Sequence, residues 1–170
     1  MAEAKQATTE QLEQRGEQLK ERVYITFTAL AVVLALRADV HDETVGGAAG
    51  TLTVAVIGTL LAVFVADVVA HITVHQALPT RAELVHMVVV VLGAAETLVI
   101  PLLVIGLAAL GLFSLEVALT TSMVILVVTL VAVGYLAVRR LKLPIVQRLL
   151  VLLAEFVLGL AVVGLELLAH

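Results

Sequence analysis

Residues 46–87 read GGAAGTLTVAVIGTLLAVFVADVVAHITVHQALPTRAELVHM. The run from Gly46 to Ala77 contains one formally charged residue, Asp67. As a helix rising ~1.5 Å per residue it is about 48 Å long, against a bilayer hydrocarbon core of ~30 Å. One end must therefore project from the lipid, or the helix must tilt. The run from Ala82 to Leu112 is similarly long and apolar. The short Leu78–Thr80 connection around Pro79 pairs the two as an antiparallel hairpin. This stretch specifies a membrane-spanning helical hairpin, with a polar cluster at its turn.

The rest of the chain agrees. Of 170 residues, 62% are hydrophobic and 14% charged, and the mean hydropathy is +1.16. Soluble domains average about 45–50% apolar and ~25% charged residues. The excess apolar surface needs lipid, and several spans of ~20 residues leave little for a water-soluble catalytic domain. There is no basic tract for nucleic acid. There is also no cysteine, which excludes disulfides, thiolate metal sites and cysteine nucleophiles. The formal net charge of −4 says less than where the charges lie.

The expected fold is all-α: an integral membrane bundle of five transmembrane helices at about 22–38, 46–77, 82–112, 115–138 and 145–168. A polar N-terminal arm, residues 1–21, precedes this membrane domain of residues 22–170. The arm lacks the apolar core of a signal peptide and is expected to be helical or frayed on the cytosolic side, with Thr8 and Gln11 spaced as a capping box. The first span has the shortest uncharged run, Val23–Leu36, and needs Arg22 and Arg37 to reach the two interfaces. With five spans and the N-terminus inside, Lys5, Arg15, Lys20, Arg22, Arg81, Arg139, Arg140, Lys142 and Arg148 all fall on the cytoplasmic side. Only Arg37 falls outside, so the C-terminus is placed outside. The expected location is a cell (plasma) membrane of bacterial type, multi-pass.

Along the second span Gly46, Gly50, Gly58, Ala62, Ala66 and Ala70 follow a four-residue step, interrupted by Val54. Small residues let helix backbones approach closely in lipid, so this span is expected at the centre of the bundle. Few helices are available to shield the buried charges, so a homo-oligomer or a partner membrane protein is expected besides the lipid bilayer.

Asp67, His71 and His75 form one helical stripe; Glu83 and His86 form a second beyond the turn. A turn centred on Pro79 sets His75 opposite Glu83, and His71 near His86 and Met87. Imidazole and carboxylate together suit a divalent transition metal, making these five candidate metal ligands. They equally suit a proton-handling cluster or a hydrogen-bonded structural set.

Deeper in the expected bilayer lie Glu96, about 13 Å past Met87, and Glu155. In span five Arg148, Glu155 and Glu166 share a face with Gly159. An acid at that depth must face the interior, pair with a base, or stay protonated. Asp67, Glu96 and Glu155 are the candidate ion or proton path, with Arg148 and Arg22 as charge partners of Glu155. Pro101 is expected to free a carbonyl and bend the third span near Glu96.

Three function classes remain: a cation or proton transporter or channel, a structural or accessory membrane subunit, and a membrane redox protein binding haem or quinone. The last fits poorly, because His71, His75 and His86 crowd one turn. The layout of five spans entering from the cytosol, with acids and histidines on long second and third helices, resembles vacuolar iron transporter relatives. Span one, RVYITFTALAVVLALRAD, lacks their acidic, glycine-rich start, so no ligand carries over. There is no Walker loop, nucleophile elbow or His-Glu-x-x-His signature, and an enzyme is not expected.

Overall fold

The computed structural model describes residues 2–139 and, beyond them, 144–147, 149–150, 153–154, 157, 161 and 164; side chains are described from residue 15 to 137 and at those later positions. Span five therefore falls largely outside the described residues, together with Arg148, Glu155, Gly159 and Glu166.

The described chain is all-helical. Helix α1 spans Ala2–Ala38, α2 Val45–His75, α3 Arg81–Ala95, α4 Val99–Ala109 and α5 Leu115–Arg139, with a 3₁₀ turn at Glu96–Leu98 between α3 and α4. Three helical segments are long and apolar enough to cross a membrane: Val45–His75, Arg81–Ala109 and Leu115–Ala137. The polar arm and the first apolar run are one continuous helix, α1, and it is not among those three.

Local signals explain the helix ends. Thr44 starts α2 by accepting a bond from the Gly47 N–H at 3.0 Å, satisfying one donor left open in the first turn. At the other end Gln76 adopts the left-handed conformation with φ 51°, its N–H bonding the Ile72 carbonyl, a helix stop usually given to glycine. Thr80 and Glu83 form a full capping box at the start of α3. The 3₁₀ turn lies just before Pro101, whose missing N–H leaves the Thr97 carbonyl without its helical donor.

The helices alternate in direction, so α1 and α3–α4 run one way and α2 and α5 the other. The central helix is α1: it packs on α5, α2 and α3, and Ile25, Ala29, Leu30 and Val33 on it are fully buried. The small-residue ridge of α2 did not win the centre. Gly46, Gly50, Gly58, Ala62, Ala66 and Ala70 are all exposed, and a Cβ on Gly46, Gly50 or Gly58 would meet nothing within 4 Å. Instead α2 packs with Ala48, Leu52 and Val56. The bulky stripe of α1 removes more apolar area from the surface than a ridge of glycines could, and dispersion follows contact.

Candidate functional site

At the hairpin end, where α2 hands over to α3, the helices border an open cavity of about 810 Å³. Asp67, His71 and His75 reach it from α2, Glu83 and His86 from α3, and Glu17 and Lys20 from α1; Ala70, Val74 and Met87 are among its apolar walls. All five candidate metal ligands thus border one space.

The register differs by about one helical turn from that expected. His71, not His75, stands opposite Glu83, with Nε2 3.8 Å from Glu83 Oε2. The reason is the connection itself: α2 stops at His75 and five non-helical residues from Gln76 to Thr80 precede α3, so the fold-back is centred before Pro79. His71 and His75 lie ring against ring, centroids 4.5 Å apart. That spacing leaves no room for a macrocycle between those two rings.

Glu83 is engaged elsewhere. Its Oε2 accepts from the Thr80 N–H at 2.6 Å and from the Thr80 hydroxyl at 2.7 Å, as a helix-capping acid does. Among the described residues no three His, Asp or Glu side chains lie close enough together to hold a metal ion. The five converge on one cavity wall rather than on one coordination sphere.

Sequence reasoning missed the contribution of α1. Lys20 Nζ lies 3.0 Å from Glu21 Oε1 and 3.6 Å from Asp67 Oδ1, tying α1 to α2 at the cavity. Glu21, 1% exposed, is the only ionisable side chain buried in the core of the described residues. Burial pushes its carboxyl above the usual carboxylate range, Lys20 pulls it back, and Asp67 and Glu17 raise it further. The ammonium of Lys20 is in turn held above its ordinary value, first by Glu21. A signal for this was present in the sequence: Glu21 continues backward the stripe Ile25, Ala29, Val33 at four-residue steps.

Glu96 does not belong to the cavity. Its side chain is 71% exposed on the flank of the bundle, and Arg22 Nη2 of α1 donates to its Oε2 at 2.8 Å. Arg22 was expected to serve Glu155; here it neutralises Glu96. Beyond Glu21, toward the far end of α1, the interior is aliphatic. Its other buried polar side chains, Thr26 and Ser122, bond backbone carbonyls, Thr26 that of Arg22 at 2.6 Å and Ser122 that of Pro101 at 3.4 Å. The cavity is thus a polar bay with Lys20 in its wall, and Glu21 is buried beside Lys20, outside the cavity lining. Compared with protein-family profiles, curated proteins and solved structures, the chain matches none.

Proposed function

We propose that this chain is a multi-pass protein of a cell membrane, with its N-terminus in the cytosol, that binds and moves protons through the bay at its hairpin end. It performs no enzymatic chemistry of its own. The observation that carries this reading is the gathering of three histidines, three carboxylates and Lys20 around one cavity, with the buried carboxyl of Glu21 against Lys20. Histidines titrate near neutrality and carboxylates can relay what they release. Proton handling is favoured over metal transport because the donors surround a space instead of a point.

The test is proton flux. Full-length protein in liposomes enclosing a pH-sensitive dye is expected to dissipate an imposed pH gradient faster than empty liposomes, and Asp67→Asn or His71→Gln to slow it. Dissipation no faster than through protein-free lipid overturns the proposal.

A second reading, an accessory membrane subunit, is favoured by the exposed ridge on α2. Small residues in lipid serve association, and nothing among the described residues covers them. Gly58→Leu fills the ridge without meeting any neighbour in its own chain. Loss of a cross-linked oligomer in Gly58→Leu, with proton flux absent in both proteins, supports this alternative.

A further inference from the structure

Glu21 sits where a carboxylate has no obvious reason to be. Both oxygens are buried and accept no hydrogen bond among the described residues. Lys20 approaches Oε1 to 3.0 Å, but neighbouring residues of a helix do not face each other. The ammonium reaches sideways, giving a charge contact without the angle of a hydrogen bond, and Oε2 is left bare. Lys20 is half-exposed and forms part of the cavity wall, whereas Glu21 does not. One cation therefore stands between two acids, Glu21 and Asp67, and also between Glu21 and the cavity.

We infer that Glu21 is the residue that binds the proton in this bay, and that the Lys20 side chain is the gate between it and the cavity. The inference rests on the proton-handling reading and names the group that performs it. Two carboxylates sharing one ammonium retain a unit of negative charge, and where water is excluded a proton on the more buried acid removes it. An ionised Glu21 draws Lys20 inward; a protonated Glu21 releases Lys20 toward Asp67 and opens the route. The step balances simply: the Glu21 carboxyl loses H⁺ to cavity water or to a neutral His71 imidazole and becomes a carboxylate. The charges bearing on Glu21 are Lys20 and Glu17 on α1 and Asp67 on α2. Glu83 and His86 are the titratable groups of α3 at the cavity. Among the described side chains of α5 the titratable group toward this end is Tyr135, which is exposed; Arg139 is the last residue of the same helix.

Infrared difference spectroscopy against pH, on the full chain in detergent, reads a buried protonated carboxyl through its carbonyl stretch. Wild type is expected to show a titrating band that Glu21→Gln removes and Glu96→Gln leaves in place. Lys20→Met removes the charge that favours ionisation and is expected to move the midpoint to higher pH; Asp67→Asn removes a charge that opposes it and moves the midpoint lower. These two variants keep Glu21 in place, so the comparison survives if Glu21→Gln does not fold. A merely structural role would not give opposite shifts. A band unchanged by Glu21→Gln, equal or same-signed shifts in the other two, or liposome flux undiminished in Glu21→Gln overturns the inference. A band behaving as expected in a protein that moves no protons sinks the transport reading alone and leaves Glu21 as the proton-binding group.

Discussion

At the scale of single residues, two acids of this chain have taken opposite solutions to the same problem. Glu96 sits on the outer flank and is neutralised by Arg22 at 2.8 Å. An exposed ion pair in water contributes about 0–1 kcal/mol, whereas a hydrogen bond to a charged group shielded from water contributes about 1.5–3 kcal/mol. If that flank meets lipid, a double-mutant cycle on Arg22→Ala and Glu96→Gln by thermal unfolding in bilayer-mimetic discs is expected to give a coupling in the upper range. A coupling below it means the flank is hydrated. Glu21 is buried without a hydrogen bond. Its folded carboxyl lies above the ordinary glutamate value of 4.5, so the folded state holds its proton more tightly than the unfolded one. Stability is therefore expected to fall as pH rises from that value through the folded one, and to recover on acidification. Glu21→Gln is expected to flatten that slope and to raise the melting temperature at neutral pH, because an amide leaves no charge to bury. Melting curves over a pH series measure both.

At the scale of elements, the hairpin is set by its two caps. Thr80 and Glu83 hold the first turn of α3, and loss of such a cap costs about 1 kcal/mol. Thr80→Ala is expected to release Glu83 toward His71 and to speed amide exchange at the start of α3, read by hydrogen–deuterium exchange. Gln76 ends α2 with φ 51°, a conformation that costs a residue with a Cβ roughly 1 kcal/mol or more. Gln76→Gly is expected to slow exchange across the same hairpin by a similar free energy, and slower exchange in Thr80→Ala or faster exchange in Gln76→Gly would contradict this account. The interruption at Glu96–Leu98 was legible in Pro101, because an absent N–H is a local fact. The register of His71 against Glu83 was not, because it depends on where two caps place a five-residue connection.

At the scale of the whole molecule, the arrangement predicts which surfaces face which compartment. With no native cysteine, single-cysteine variants report topology cleanly. Asp42→Cys, in the connection before α2, is expected to react with a membrane-impermeant thiol reagent from outside, and Gln76→Cys only after permeabilisation. The reverse pattern inverts the proposed orientation; both reacting from one side means α2 does not cross. The sequence by itself determined the solvent: hydropathy and helix length are sums over local residues, and they specify long apolar helices and a polar hairpin turn whatever the packing. It also determined that Asp67, His71, His75, Glu83 and His86 lie near that turn, since helical spacing is local. Only the tertiary structure decided that α1 holds the centre, that the glycine ridge of α2 faces out, and that Glu17 and Lys20 complete the cavity from the far end of the sequence. Those outcomes depend on which helix faces bury the most area against one another, a property of pairs of elements that no single segment carries.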